Sequence, residues 1–472
     1  RVVALRVFGI PAIALPPPIV PVWEHLFNEE TTPLPILKAN GTVVDVSDGT
    51  GLNDTYGGFK RYDADRLLLG VRENGIDETD PGHDAALAAQ FPDRSLIWIN
   101  PATGAPTGVA LAVGYAPVEL DQDFIDAGGT ANDYYFNFDV SDDGVVYVNY
   151  KNKIVRYAPD GQGGFGAPTV AYTQTNDGSA NWQQWRWENL RVTGEGSATR
   201  IVAGGKNWRP NMGYHILETD DGATFRKIND DLAQNVGGGG GGSSILTGLN
   251  PDNPDEEWVY VTFYPGSSNG IDTRFNRRIG DVEGDGVFTN DGTFAAAKHP
   301  DPDGQKDYAT EFMSDVDGHS DLPYVVAYST PSWNSQGVSR DPARPGFIAL
   351  HSHTGDVLRT HRIEARETDE IEVDADGNAG ENPASLWHGT LGSVQLNRLP
   401  NMADGEAEIL WYSGIYGYGR YLVTEGEEPQ PANLAISLSG DQVTIAWDGG
   451  GALETASVAT GPYTVVEGAT SP

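Results

Sequence analysis

One stretch of this chain, IGDVEGDGVFTNDG, carries oxygen-bearing side chains at the spacing of a calcium-binding loop. Acidic residues alternate with other residues ahead of a glycine, so that a short loop can wrap one hard cation with several oxygens. A backbone carbonyl follows, and a last acid stands one place before the expected position. An ordinary solvated acidic turn is the alternative, since the flanks do not read as helices. The predicted ligands are Asp281, Glu283, Asp285, Val287 and Asp291.

Four tryptophans in NWQQWRWENLR and KNWRP form a second candidate site. Aromatic faces stack on sugar rings as they do on other apolar surfaces, so these side chains could form a platform for a glycan. Ordinary packing within a sheet is the alternative interpretation. The residues are Trp182, Trp185, Trp187 and Trp208.

No motif predicts a catalytic residue. GSSNG at residues 266–270 fits the nucleophile-elbow pattern, but Pro265 precedes it and no amphipathic helix follows, as that motif requires. A zinc-protease motif, a P-loop and a dinucleotide fingerprint are all lacking from the sequence. The 67 acidic residues allow many carboxylate pairs suited to glycoside hydrolysis, but the separation of such a pair is a tertiary property.

The composition excludes several classes of partner. A formal net charge of -37 argues against nucleic acid and anionic membranes, because phosphate would be repelled. The chain contains no cysteine, so disulfides and thiolate metal sites are excluded. It also contains no apolar run of about 20 residues, so we expect no membrane span.

The local pattern predicts an all-β protein. Short β-branched or aromatic runs alternate with turns rich in Asp, Asn and Gly from about Pro33 to Val423, and FNFDVSDDGVVYVNYKNKIVRYAPDG reads as three strands of a meander. Related strand pairs recur at roughly 40 to 55 residues, the spacing of four-stranded propeller blades with insertions. We therefore predict a β-propeller of about seven blades.

Two stretches carry a resemblance to known families. VSDDGVVYV and NKIVRYAPDG resemble blade sequences of secreted bacterial β-propellers, and ETDDGATF resembles the Asp-box turn of sialidase-type propellers. Glu218 stands where that box usually has Ser. The resemblance implies a hairpin turn held by Asp and Thr and an aromatic residue packed between strands, with no catalytic role. The matching residues are Asp220, Gly222, Thr224 and Phe225.

The chain divides into four predicted segments. Residues 1–27 form an extended apolar segment, and 28–423 form the propeller with an acidic insertion near 281–321. Residues 424–432 (TEGEEPQPA) read as a linker, because they lack an apolar pattern and contain two prolines. Residues 433–472 resemble the small β-sandwich modules at the ends of secreted bacterial proteins, and we expect this module to lack its last strand.

The opening RVVALRVF predicts a strand with Val3, Leu5 and Val7 on one face and Phe8 on the other, followed by a proline-rich tether. An exposed apolar strand needs a sheet edge to cover it. It pairs either with its own propeller, as a closing strand, or with a neighbouring subunit by strand addition, which would build a homopolymer or filament.

These observations favour an extracellular or cell-surface, non-catalytic structural or adhesive protein that binds calcium and self-assembles into a homo-oligomer or filament. The alternative is a secreted propeller enzyme or binding module that acts on polysaccharide. Sugar binding and turnover distinguish the two classes.

We expect calcium to stabilise the protein through the loop that begins at Asp281. Binding to the folded state alone should raise the unfolding free energy by roughly 2.7 kcal/mol at a hundredfold excess over Kd, seen as a higher Tm. The double variant Asp281→Asn, Asp285→Asn should lose this increment. An unchanged calcium response in that variant would contradict the assignment.

Overall fold

The computed structural model of the 472-residue chain describes most of the predicted propeller and four short strands of the C-terminal region. The described residues are 18–26, 58–71, 94–126, 137–174, 187–205, 214–228, 242–261, 277–281, 288–293, 298–300, 307–309, 312–330, 347–363, 392–413, 417–424, 434–439, 442–447, 454–455 and 464–465.

The fold is an all-β propeller built from antiparallel sheets. The first strand among the described residues is β1 (Ile19–Leu26), which belongs to the last blade. The first three blades follow in sequence, each with its strands in chain order from the inside outwards, and a five-residue helix α1 (Gln122–Asp126) lies between the first and second. Their strands are β2 (Phe59–Arg61), β3 (Leu67–Val71), β4 (Ser95–Ile99), β5 (Pro106–Ala112), β6 (Phe138–Val140), β7 (Val146–Tyr150), β8 (Lys153–Tyr157), β9 (Thr169–Thr173), β10 (Trp187–Thr193), β11 (Arg200–Gly205), β12 (Tyr214–Thr219) and β13 (Phe225–Lys227).

A three-stranded sheet, a two-stranded hairpin and two further blades complete the propeller. In the three-stranded sheet the segment 243–246 pairs alongside the first strand, through hydrogen bonds of Leu246 with Trp258. The strands are β14 (Glu257–Val261), β15 (Arg277–Asp281), β16 (Phe288–Thr293), β17 (Lys298–Pro300), β18 (Asp307–Ala309), β19 (Phe312–Gly318), β20 (Tyr324–Thr330), β21 (Phe347–Ser352), β22 (Val357–Arg362), β23 (Gly392–Asn397), β24 (Ala407–Ser413) and β25 (Gly417–Val423).

Ile19–Val423 form one compact unit, and residues 424–472 belong to a second unit together with 1–18. Within the second unit the described residues form two antiparallel hairpins. Their strands are β26 (Leu434–Ser439), β27 (Gln442–Trp447), β28 (Glu454–Thr455) and β29 (Thr464–Val465). The predicted β-sandwich module and the linker before it stay predictions.

The predicted number of about seven blades is wrong. The described residues contain five four-stranded blades and the one three-stranded sheet. The inner strands of the five blades start at Phe59, Phe138, Trp187, Phe312 and Gly392. From Phe59 to Phe138 (138 − 59 = 79) and from Phe312 to Gly392 (392 − 312 = 80) the spacing exceeds the roughly 40 to 55 residues assumed, because long connections separate the blades. The assumed spacing, applied to residues 28–423, therefore gives too many blades. The acidic stretch near 281–321 likewise contains strands β15 to β19.

The apolar core lies between neighbouring blades rather than in one central mass. Phe138, Val146 and Val155 of the second blade pack with Leu68 and Leu96 of the first. A similar cluster joins the second blade to the third, and another joins the fourth to the fifth. Each blade thus buries both faces of its middle strands, and this explains strands such as VYVNY that are buried at every position.

The ETDDGATF turn joins β12 to β13. Asp221 holds it, since its Oδ1 accepts hydrogen bonds from the Thr219 hydroxyl and from the amides of Ala223 and Thr224. These bonds lower the pKa of Asp221 to about 2. Asp220, the residue matched to the Asp-box, instead forms an exposed ion pair with Arg226.

Strand β1 closes the ring from the amino-terminal side. It pairs antiparallel with β25 from Ile19↔Val423 to Leu26↔Gly417, as the outermost strand of the last blade. Pro21 is tolerated there because an edge strand leaves one row of amides without a strand partner. The part of the opening segment from Ile19 onwards is therefore paired within its own molecule. Val3, Leu5, Val7 and Phe8 lie outside the described residues, so strand addition to a neighbour stays a prediction.

Side chains of β1 also form hydrogen bonds with the first blade. Trp23 Nε1 donates to the carbonyl of Pro101 (2.9 Å), and His25 Nε2 lies 3.0 Å from the carbonyl of Thr103 in the β4–β5 turn. Gly104 in that turn has φ of 74°, and a Cβ there would overlap the rings of His25 and Trp23. The turn approaches the closing strand this closely because residue 104 has no side chain.

We expect Gly104→Ala to weaken closure of the ring. Gly114→Ala is the matched control, because Gly114 has nearly the same φ (70°) and no atom lies within 4 Å of the position that a methyl group would take there. Both variants lose about 1 to 2 kcal/mol through a left-handed backbone. Gly104→Ala should lose roughly 1 to 3 kcal/mol more through the clash. Urea unfolding measures the difference, and equal losses would show that this contact does not support closure.

Candidate functional site

The inner strands of the blades meet at the propeller axis and bring charged side chains together there. Lys60 comes from β2, Asp139 from β6, Arg191 from β10, and Asp315 and Asp317 from β19. All five residues are buried. Charge is rarely buried unless it is paired, so the partners of each group define this axial cluster.

The carboxylates tie the inner strands of the second and fourth blades to the blades that follow them. Asp139 Oδ2 accepts from the amide of Val192 (2.9 Å). Asp315 Oδ2 and Asp317 Oδ2 accept from the amides of Val394 (2.9 Å) and Leu396 (2.8 Å) in the last blade. In the last blade an amide side chain takes this role, since Gln395 Oε1 accepts from the amide of Arg61 in the first blade. One pattern of bonds therefore recurs around the ring.

Two cations offset part of the negative charge of these three carboxylates. Arg191 Nη2 donates to Asp315 Oδ2 and to the carbonyl of Val394, and Arg191 Nε lies 3.7 Å from Asp317 Oδ1. Lys60 Nζ lies 3.7 Å from Asp139 Oδ1. Arg191 thus joins the third blade to the fourth and fifth by charge-assisted bonds, which are stronger than neutral ones.

Burial raises the pKa of all three carboxyls. Desolvation is the main cause for each, and it raises the pKa of Asp315 to about 6 from its ordinary 3.8 even though Arg191 opposes it. The pKa of Asp139 lies well above its ordinary value because of desolvation and the nearby Asp317 and Asp315 charges. The pKa of Asp317 is raised by desolvation against Arg191. Protons are therefore held at the axis at mildly acidic pH.

An open cavity of about 1030 Å³ lies at the carboxyl ends of the inner strands. Asp139 and Asp317 of the axial cluster reach its lining, whereas Arg191 and Asp315 do not. Its rim comes from the turns that follow the inner strands, and includes Tyr62, His319 and Asn401. The lining offers hydrogen-bond donors and acceptors from every blade, which suits a ligand rich in hydroxyl groups.

One wall of the cavity is built on arginines. Glu408, which is 0% exposed, accepts from Arg61 Nε (2.6 Å), Arg61 Nη2 (2.5 Å) and Arg420 Nε (2.6 Å). Asn397 Nδ2 also donates to it (3.1 Å). Arg398 follows Asn397, the last residue of β23, and its Nη2 lies 2.8 Å from Asp404 Oδ1. We call Arg61, Arg398 and Arg420 the arginine wall.

The predicted calcium ligands are only partly described. Asp281 ends β15 and Asp291 lies within β16, and Asp281 stands opposite Phe288 in the register of the two strands. Glu283, Asp285 and Val287 lie outside the described residues. Among the described residues no group of three or more His, Cys, Asp or Glu side chains is placed to hold a metal. The calcium site stays a prediction.

Of the four tryptophans only Trp187 is described. It begins β10, is 1% exposed, and packs against Tyr172 and His215. Its ring therefore contributes to the contact between the second and third blades and has no free face for a sugar. Trp182, Trp185 and Trp208 lie outside the described residues. No described helix is long and apolar enough to cross a membrane.

The axial cluster was not predicted from the sequence. Asp315 and Asp317 belong to a stretch that reads as one more acidic turn, and Asp139 belongs to a strand whose other residues are apolar. The usable signal is an Asp inside the first strand of a meander, as in FDV and SDVDG, because a buried strand tolerates a charge only where it has a partner. Arg191 carries the same signal in NLRV.

We expect the axial carboxyl of Asp315 to make stability fall as pH rises. Its folded pKa exceeds its ordinary value, so between about pH 4 and 6 the folded protein holds a proton that the unfolded chain has released. The unfolding free energy therefore decreases with rising pH in that window, by on the order of 3 kcal/mol from this group.

Asp315→Asn cannot release this proton, so its stability relative to the parent protein should improve from pH 4 to pH 7. Asp404→Asn, at a fully exposed carboxylate, is the control. Urea unfolding at both pH values measures the two differences. A parent-to-variant difference that does not change with pH for Asp315→Asn would refute the assignment.

No family model and no curated protein sequence matches the chain. Solved structures similar to it include a DUF4623 family protein from Bacteroides eggerthii (10% identity, 80% of this chain and 72% of that chain, TM-score 0.40). A protein of unknown function from Dyadobacter fermentans covers 78% and 93% at 11% identity, with a TM-score of 0.40. An alpha-L-arabinanase from Penicillium chrysogenum, complexed with arabinobiose, covers 77% and 91% at 8% identity, with a TM-score of 0.41. The propeller fold itself is established by the sheet topology described above.

Proposed function

We propose that this protein is an extracellular β-propeller that binds polysaccharide in the axial cavity. The single observation that carries the proposal is the lining of that cavity, in which donors and acceptors from every blade surround about 1030 Å³. Sugar hydroxyls both donate and accept, so they satisfy such a mixed lining. The extracellular location rests on the resemblance of the blade sequences to secreted propellers.

The structural role of Asp139 in the cavity lining favours binding over catalysis. Asp139 uses Oδ1 for the amide of Val140 and Oδ2 for the amide of Val192, both at 2.9 Å. A carboxyl committed in this way keeps the inner strands in place, and it has little freedom to exchange protons with a ligand. We therefore assign the cavity to recognition.

One observation favours a hydrolytic activity as the second candidate. Asp317 lines the cavity, and desolvation raises its pKa above the ordinary value. A carboxyl with a raised pKa in the lining of a sugar-sized cavity is the kind of group that a glycoside hydrolase uses as general acid. Turnover of a bound polysaccharide that Asp317→Asn abolishes would favour this second function.

We expect the double variant His319→Ala, Asn401→Ala to bind polysaccharide about tenfold more weakly than the parent protein. Both side chains line the cavity, and among the described residues the His319 ring accepts a single local hydrogen bond, from the amide of Asp321, so the fold should tolerate the change. Two lost hydrogen bonds of about 0.5 to 1.5 kcal/mol each account for the loss.

The measurement is titration calorimetry with oligosaccharides chosen from a glycan array screen of the full chain. Gln162→Ala, an exposed polar residue outside the cavity, is the control and should bind as the parent does. An array on which the full chain binds no glycan, or a double variant with unchanged affinity, would contradict the proposed function.

A further inference from the structure

The arginine wall indicates which class of polysaccharide fits the cavity. We propose that the ligand carries carboxylate groups, as a chain of uronic acids does, and that Arg398 and Arg420 bind one of them. This inference rests on the proposed function and adds the chemistry of the ligand.

Arg420 has donors left for a ligand. Its Nε is taken by Glu408, and Nη1 makes a long bond of 3.3 Å to the carbonyl of Pro101. Its Nη2 makes no hydrogen bond within the described part of the chain, and the side chain remains 18% exposed at the cavity. Glu408 and Pro101 hold the planar guanidinium in place, so little conformational entropy remains to be lost when a ligand binds.

Arg398 is held in a way that a ligand can replace. Its partner Asp404 has a fully exposed side chain, and an ion pair of that kind contributes little because water screens it. The second bond of Arg398, to the carbonyl of Ala403, is long at 3.4 Å. A ligand carboxylate in the cavity is better placed, because a guanidinium binds a carboxylate through two parallel N–H bonds.

The balance of charge on this wall is positive. Arg61 and Arg420 share the single carboxylate of Glu408, so these three side chains together carry one positive charge. The rest of the cavity lining includes the carboxyl groups of Asp63, Asp139, Asp142 and Asp317, so the positive charge is confined to this wall. The whole chain carries a formal net charge of -37, so a cationic wall is a local exception to its composition. A uronate carboxylate can form an ion pair with the arginines of this wall, whereas a neutral sugar offers them only hydroxyl groups. The same net charge limits the ligand to short segments, because a long polyanion would be repelled by the rest of the surface.

The experiment compares a galacturonic acid tetramer with the galactose tetramer of the same linkage, by calorimetry on the full chain at low salt. The uronate should bind at least tenfold more tightly than the neutral tetramer. Arg420→Lys keeps the positive charge but removes the planar set of N–H donors of the guanidinium. Arg398→Gln breaks only the ion pair with the exposed Asp404, so both variants should fold. Each should lose about tenfold in uronate affinity and clearly less in affinity for the neutral tetramer, whose hydroxyl groups replace only part of what the arginines bind.

Arg226→Gln is the matched control. Arg226 is another arginine paired with carboxylates, Glu218 and Asp220, but it lies on β13 outside the cavity. Its substitution should change neither affinity. Equal binding of the two tetramers, or arginine variants that weaken both ligands equally, would overturn this inference and leave the proposed function standing. Binding of neither tetramer, together with an empty glycan array, would overturn both.

Discussion

The propeller depends on the ion pair between Arg191 and Asp315 at its axis. These two side chains come from inner strands of different blades. Both also form hydrogen bonds with the backbone of Val394, which belongs to the last blade. The contact is costly to build, since two charges leave water, and it becomes favourable only when every other lone pair and N–H near it is well placed. The inner strands must therefore keep their register to within a residue. The hydrogen bonds that Asp139 and Asp317 accept from backbone amides of the neighbouring blades maintain this register.

The same constraint positions the cavity. Because the inner strands are fixed against one another, the turns that follow them lie at defined distances around one opening. The arginine wall has its own buried anchor in Glu408, which binds residues of β2, β23 and β25. Rigid inner strands thus support residues whose remaining N–H groups face solvent, and this preorganisation is what ligand binding requires.

Much of the fold could be predicted from residue patterns. The strand alternation and turns such as SDDG in FDVSDDGVVYV depend on neighbouring residues, so they are visible in a linear sequence. The number of blades depends on which hairpins share a sheet, and connections of very different length conceal it. The site is harder still to predict, because Lys60, Arg191 and Asp315 lie far apart in sequence and only ring closure brings them together. An Asp in a buried strand shows that a partner exists, without showing which residue it is.

The joining of the two ends of the propeller has a consequence for how the protein is made. Among the described propeller strands, β1 leaves the ribosome first and its partner β25 leaves last. Until β25 has been synthesised, β1 lacks its strand partner, and Val20, Val22 and the backbone groups of β1 have no sheet to pair with. The earlier blades can fold meanwhile, as each leaves the ribosome. The last blade is thus completed only after nearly the whole propeller has been synthesised. Slow, long-range pairing of this kind exposes a sheet edge during synthesis and makes the nascent chain a natural client for chaperones.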